Sequence, residues 1–243
     1  MTGMDIERIR AAFPGRRIDY YASVDSTMRA ASGLEAGSVV LAEEQTAGLG
    51  RMGHTWHSEA GAGIYCSIVL RPMPVLTLAL GLAAQSAILE ATGLMCDIRW
   101  PNDLLIGGKK VAGVLVHGAD GMGICGIGIN VGHAEFPGEL REVATSLRIE
   151  LSKKAGGSAC PTLIVLALLR AVDSFAALDK DEVLRLFAQC SSYASGRRVR
   201  VEQPNGAIEG TTAGLDPSGF LIVRKDDGTD TLVLAGGVRA AGS

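Results

Sequence analysis

The chain has 243 residues, 47% of them hydrophobic, enough for one large core or one core with a small appended domain. Its formal net charge of −3 excludes a strongly basic nucleic-acid surface and an acidic disordered tail. No run spans a bilayer: Val75 to Leu89 is interrupted by Thr77, Gln85 and Ser86, and Leu163 to Leu169 is too short.

The opening "MTGMDIERIRAAF" alternates charged and apolar residues and predicts a short amphipathic helix rather than a signal peptide. "RIDYYASV" predicts a strand, and Ser26 to Glu35 a helix that Ser26 can cap. "SVVLAEE" and "GIYCSIVLRP" are strands on either side of a glycine-rich loop, and Val75 to Thr92 is a long helix ending at Gly93. "MCDIRW" is a strand broken by Pro101. Leu104–Ile106 and Lys110–His117 form a hairpin around Gly107-Gly108, and "GICGIGINV", reached through a turn at Gly118 to Gly121, is apolar enough to be central. "SKKAGGSA" is a loop, followed by helices over Thr162–Leu178 and Asp181–Ser192. The last 45 residues or so hold "RRVRVE", "AIEGTTAGL", "GFLIVRK" and "DTLVLAG", separated by turns at Asn205-Gly206, Asp216 to Gly219 and Asp226 to Gly228. The succession predicts an α+β protein: a mixed, largely antiparallel sheet with packed helices over residues 1–193, and a small β-barrel domain over 194–243.

Five cysteines (Cys66, Cys96, Cys125, Cys160, Cys190) are odd in number, form no C-x-x-C and sit among apolar neighbours. They read as buried free thiols of a cytoplasmic protein. His54 and His57 lie at i, i+3, but no cysteine or helical frame completes a metal site, so none is expected.

The loop "TAGLGRMGHTW", Thr46 to Trp56, spells G-x-G-x-x-G at Gly48, Gly50 and Gly53. A dinucleotide fingerprint must open a helix and be followed by an acid about 20 residues later. "HTWHSEAGAGIYCS" has no helical period, and the same string recurs at Gly121, Gly123 and Gly126 inside a strand. The Rossmann reading fails. What remains is a glycine-rich loop with one fixed cation, Arg51, and an aromatic end, Trp56, which reads as the loop's anchor. A second concentration of chemistry is "RWPNDLLIGGKKVAGVL", Arg99 to Leu115. Lys110 enters an apolar strand and invites an anionic ligand, whereas Lys109 points to the other face and is solvated. Alone, this segment would serve equally well as a hairpin with ordinary turn charges.

Taken in order, "DSTMRAA", "AEEQTAGLGRMGHTW", "RWPNDLLIGGKKVAGVLV" and "GIGINV" resemble the blocks of the biotin protein ligase family. The resemblance spans about Asp25 to Val131, and the C-terminal segment is similar to the family's terminal domain. It implies a class II aminoacyl-tRNA synthetase-like catalytic domain followed by an SH3-like barrel. It also implies the reaction: biotin is activated with MgATP to biotinyl-5′-AMP, and the biotinyl group passes to one lysine of a biotin carboxyl carrier domain. Lys110 and Arg51 match the family's charge-neutralising residues. Ser26, Thr27 and Gln45 match those lining the ureido end of biotin, and Gly48, Gly50 and Gly113 match positions of close backbone approach. Asn102 and Asn130 match asparagines near the adenine, and Asp103 an acid in the nucleotide pocket of unassigned role.

Leu49, Met52 and His54 stand where the family carries basic residues, and Met28 where it has asparagine. The runner-up enzyme is a lipoyl or octanoyl transferase of the same fold, against which the W-P-N-D block speaks; a non-catalytic biotin-binding relative is the third reading. Only about 17 residues precede the first strand, too few for a helix-turn-helix module, so no DNA partner is expected. A homodimer through a sheet edge stays open.

Overall fold

A computed structural model describes residues 3–154, 157–203 and 206–241; parts of the expected "SKKAGGSA" loop and Asn205-Gly206 turn lie outside these. The first helix, α1 (Ile6–Ala12), is capped by Asp5, whose carboxylate accepts from Arg8 N. Strand β1 (Ile18–Tyr21) leads to α2 (Thr27–Ala30), a single turn where a longer helix was expected. Ser26 makes no side-chain cap there, and Gly33, at positive φ, stops the helix from running on.

Strands β2 (Val39–Ala42) and β3 (Gly63–Leu70) flank the glycine-rich loop, and α3 (Leu76–Thr92) follows. Next come β4 (Asp97–Arg99), β5 (Asp103–Ile106), β6 (Lys109–Ala119) and β7 (Met122–Asn130). The β5–β6 turn is Gly107-Gly108, both residues at positive φ, as a two-residue hairpin of this hand demands. The next turn is narrower than expected, because β6 runs on to Ala119 and leaves Asp120-Gly121 to reverse the chain.

These strands form one seven-stranded sheet in the order β1-β2-β3-β7-β6-β5-β4, parallel only between β1 and β2. The expected mixed, largely antiparallel sheet is therefore present, and β7 is its middle strand.

Two short helices were not anticipated, α4 (Leu140–Val143) and α5 (Leu147–Lys153). Helices α6 (Pro161–Phe175) and α7 (Lys180–Cys190) complete the layer. Helix α3 is apolar on nearly every side because it is enclosed: Leu80, Ala83, Ala84 and Ile88 belong to the main core with α6, and Leu78, Ala79 and Leu82 to a second core. Cys66, Cys96 and Cys125 are buried as expected, and burial pushes each thiol up to about 12; Cys160 is partly accessible and Cys190 exposed, contrary to expectation. No helix among the described residues is long and apolar enough to cross a membrane.

The C-terminal segment holds β8 (Ser195–Gln203), β9 (Gly206–Leu215), β10 (Leu221–Arg224), β11 (Asp230–Val233) and an unanticipated β12 (Gly237–Ala240). They make an antiparallel sheet in the order β11-β10-β9-β8-β12. Among the described residues no ladder joins β11 to β12, so this is an open sheet rather than a closed barrel. Its apolar face is not self-sufficient. Val199, Val201, Leu221, Val223 and Val233 share the second core with Leu78, Leu82, Trp100 and Phe187 of the first part of the chain.

Trp100, 4% exposed, closes this junction by donating Nε1–H to the Gly219 carbonyl at 2.9 Å. Trp100→Phe keeps most of the apolar contact but leaves that buried carbonyl unpaired, which costs about 1–3 kcal/mol. Chemical denaturation of the two proteins measures the difference, and equal midpoints would show that the bond contributes nothing.

Candidate active site

The site is built on the face of the sheet where β6 and β7 lack side chains. Gly113 and Gly128 are paired partners in adjacent strands, and Gly126 lies two residues before Gly128 on the same face. A Cβ on Gly128 would stand 2.7 Å from Cζ2 of the Trp56 indole, and one on Gly126 2.7 Å from the Met28 sulfur. The glycines thus let Trp56 and Met28 lie directly on the backbone. Trp56 is the loop anchor that the sequence suggested. Gly126 and Gly128 were passed over because they fell within, or next to, a glycine string dismissed as accidental.

Beside this floor runs a line of polar side chains. Ser67 Oγ, on β3, donates to Thr27 Oγ1 at 2.8 Å; Thr27 Oγ1 and Thr27 N donate to Gln45 Oε1 at 3.0 and 2.9 Å. Gln45 Nε2 donates to Ser58 Oγ, and Ser58 Oγ to the Trp56 carbonyl, at 2.9 and 3.1 Å. Thr27 and Gln45 were expected here; Ser58 and Ser67 were not, because each stands alone in sequence with no neighbouring motif. Ser26 is fully buried next to them, and its Oγ has no hydrogen-bond partner.

The charged end is organised around Asp103. Its two oxygens meet Lys110 Nζ and Arg99 Nη2, both at 2.6 Å. Burial opposes ionisation of this carboxyl, but the two cations prevail and hold it below the usual carboxylate range. A register shift between Leu104 and Leu105 leaves Val111 as the extra residue opposite β5, with Lys110 paired to Leu105. Lys110 Nζ also lies 5.1 Å from the Trp56 ring centroid, within cation–π range. Lys109, as expected, serves the surface: its Nζ donates to the Arg141 carbonyl at 2.8 Å.

Arg51 reaches in from a short 3₁₀ turn (Arg51–Gly53) and donates to Asn102 Oδ1 at 2.8 Å. Burial draws its pKa down, and Asp103 counteracts this. Asn102 is itself fixed, giving its amide to the Val114 carbonyl at 2.8 Å. Its side chain therefore orients Arg51 in this structure.

A small cavity of about 50 Å³ is bordered by Thr27, Gln45, Gly50, Arg51, Asn102, Lys110 and Gly113, together with Met28, Leu49, Trp56, Gly126 and Gly128. Four expected site residues fall outside it: Ser26, Gly48, Asp103 and Asn130. Gly48 faces its own loop, where a Cβ would meet the Trp56 carbonyl at 2.7 Å. Asn130 is buried and donates Nδ2 to the Thr145 and Lys110 carbonyls at 3.1 and 3.4 Å. A second cavity of about 240 Å³ lies between the large sheet and the C-terminal sheet, lined by Val75, Trp100, Pro101, Phe220 and Leu234 among others. Arg51, Val114 and Leu115 border both.

The large mixed sheet thus carries a polar pocket with two inward cations, and the small C-terminal sheet walls a second cavity beside it. Residues 16–132 match the biotin/lipoate A/B protein ligase family, and residues 194–237 the biotin protein ligase C-terminal domain. The chain is 33% identical over 232 residues to the bifunctional ligase/repressor BirA of Bacillus subtilis, covering 88% of this chain and 71% of that one. It is 35% identical over 243 residues to the biotin–[acetyl-CoA-carboxylase] ligase of Mycobacterium tuberculosis, covering 91% and 88%. The structure superimposes on biotin protein ligase from Aquifex aeolicus in complex with biotin and ATP with a TM-score of 0.82, at 28% identity and 93% and 99% coverage. The chain belongs to the biotin protein ligase family.

Gly128→Ala is expected to lift the Trp56 ring off β7 while leaving the sheet intact. Tryptophan emission should shift to the red with unchanged far-ultraviolet circular dichroism, since the other tryptophan, Trp100, is buried elsewhere. Unaltered emission would mean that the ring does not rest on this glycine.

Proposed function

We propose that this enzyme activates biotin with ATP to biotinyl-5′-AMP and then transfers the biotinyl group to a lysine of a biotin carboxyl carrier domain. The observation that carries the reading is the position of Arg51 and Lys110, charged, inward and next to the seam where two cavities meet. In the proposed arrangement the ureido ring of biotin lies against Thr27, Gln45, Ser58 and Ser67. Their hydroxyls and amide suit a neutral group that both donates and accepts. The aliphatic tail runs over the glycine floor between Met28 and Trp56, and the adenosine occupies the larger cavity. The division of labour follows the chain, with residues 1–193 holding the chemistry and 194–243 walling the nucleotide side.

A carboxylate oxygen of biotin attacks the α-phosphorus, the bond to the β-phosphate bridging oxygen breaks, and pyrophosphate leaves. Two anions must approach, so charge neutralisation and positioning supply the catalysis. Lys110 can turn from Asp103 toward the incoming anions because Arg99 still pairs that carboxylate. Asp103 is thus a positioning residue, the role the sequence left open. Both of its oxygens are engaged, so it does not fit as a free ligand for Mg²⁺, which enters with the ATP phosphates. In the second step a neutral lysine amine of the acceptor attacks the biotinyl carbonyl, and AMP leaves with the bonding electrons. The chemistry requires neither DNA nor a second copy of the chain, and we place the enzyme in the cytoplasm.

The Trp56 ring lies on the glycine floor where the aliphatic tail is placed, so in the proposed cycle the loop opens to admit biotin. Trp56 Nε1 is buried without a hydrogen-bond partner in the closed form. An unsatisfied donor of this kind costs about 1–3 kcal/mol, which favours opening.

Biotin-dependent exchange of pyrophosphate into ATP measures the first step directly. Lys110→Ala should lower it by about 10²–10³, the usual loss on removing a preorganised charge partner, and Lys109→Ala should leave it nearly unchanged. Equal losses would overturn the assignment of Lys110.

The thinned loop supplies a second test. Leu49, Met52 and His54 are all exposed, but Leu49 also borders the cavity, so of the three departures it is the one placed to return a charge to the site. A charge-assisted hydrogen bond is worth about 1.5–3 kcal/mol. Leu49→Arg should therefore slow biotinyl-adenylate release, followed by stopped flow, and reduce stray labelling of bystander lysines. A release rate equal to or above that of the unmodified enzyme would show that the missing charge does not govern retention.

A further inference from the structure

His133 follows β7 and is 2% exposed, and neither of its ring nitrogens has a hydrogen-bond partner. A buried imidazole left in this state is costly unless something outside the protein satisfies it. Its surroundings hold donors of the right kind. One ligating atom from each of His57, Glu59 and His133 lies within 4.8 Å of the others, and His57 Nε2 stands 3.9 Å from Glu59 Oε2. We propose that His57, Glu59 and His133 bind a divalent transition-metal ion, of which Zn²⁺ is the type, that clasps the outgoing limb of the glycine-rich loop to the end of β7.

Two imidazoles and one carboxylate form a donor set that suits Zn²⁺, Co²⁺ or Ni²⁺ and disfavours Mg²⁺ and Ca²⁺, which take oxygen ligands. Tetrahedral coordination with bonds of about 2.0–2.2 Å needs donors roughly 3.4 Å apart. The remaining contraction falls to Glu59, which is exposed, and His57, which is partly so. His133 is the fixed member. Its ring stacks on Phe136 with centroids 4.7 Å apart, and its carbonyl accepts from Ser146 Oγ at 2.6 Å. A neutral imidazole offers one ring nitrogen to a metal and keeps its proton on the other. The fourth coordination position is left to water.

The consequence for the loop is geometric. His57 and Glu59 flank Ser58, which accepts from Gln45 and donates to the Trp56 carbonyl. A metal on the flanking pair would brace Ser58 and Trp56 from behind, without touching the pocket. His54, the partner that sequence spacing offers to His57, is exposed and takes no part.

The test uses the full chain, freed of metal by chelation. Calorimetric titration with Zn²⁺ should give one bound ion, and Co²⁺ should produce the visible bands of a tetrahedral nitrogen–oxygen site. At about a hundredfold excess over Kd, Zn²⁺ should raise Tm by roughly 5–10 °C. His57→Ala and Glu59→Gln, both at accessible positions, should each weaken Zn²⁺ binding at least ~10-fold with the fold retained. Replacing the accessible thiols, Cys160→Ser with Cys190→Ser, should leave binding unchanged. Absence of binding, equal affinity in the His57 and Glu59 variants, or loss of binding in the cysteine variant would each overturn the proposal. None of these outcomes bears on biotin activation, which the pyrophosphate exchange measures separately.

Discussion

A side chain on Gly128 would fill the space that the Trp56 indole occupies, and much of the site follows from leaving that space empty. The paired glycines of β6 and β7 give the sheet a bare face, so a loop tryptophan can lie on backbone rather than on other side chains. The loop limb that carries Trp56 also carries Ser58, so packing of the ring and placement of the polar line are one event. A stripe of glycine in a central strand weakens that strand. Here the loss is offset because β7 is paired along its whole length with β3 on one side and β6 on the other.

The charged end depends on a different constraint. Lys110 and Arg51 place two cationic side chains in a partly buried pocket. Asp103 pairs with Lys110 through one oxygen and with Arg99 through the other. Arg51 has no carboxylate in direct contact among the described residues. The side-chain amide oxygen of Asn102 takes that place, a weaker acceptor than a carboxylate. One cation is thus held by a charge and the other by a dipole, which leaves both available.

The sheet was legible in the sequence because its longer strands, β3, β6 and β7, are apolar runs bounded by proline or glycine. The Gly107-Gly108 hairpin is an instance in which turn chemistry and strand pattern agree. Helix α2 shows the reverse. Ser26 has the identity of a cap, but it is buried beside the site, and helix propensity was overruled by the demands of the pocket. Thr27, Gln45, Arg51 and Lys110 could be singled out because they stand in ordered blocks. Ser67, Gly126 and Gly128 could not, since their contacts join residues distant in sequence, as in the Ser67–Thr27 pair, and Ser58 could not because it stands outside any motif. Strand β12 escaped notice for a related reason: "GVRA" is too short to show alternation, and only its pairing with β8 makes it a strand.

The "RWPND" block binds two parts of the molecule as well as bordering a cavity. Trp100 packs into the second core, bonds to Gly219 across the junction, and with Pro101 lines the larger cavity. Two residues further on, Asn102 holds Arg51 and Asp103 holds Lys110. The C-terminal sheet therefore docks on the same short segment that orients both cations. Trp100 joins that sheet to the block, and Pro101 and Asn102 carry the contact on to the cavity and to Arg51. A module that looks appended in sequence is, in its contacts, the outer wall of the site.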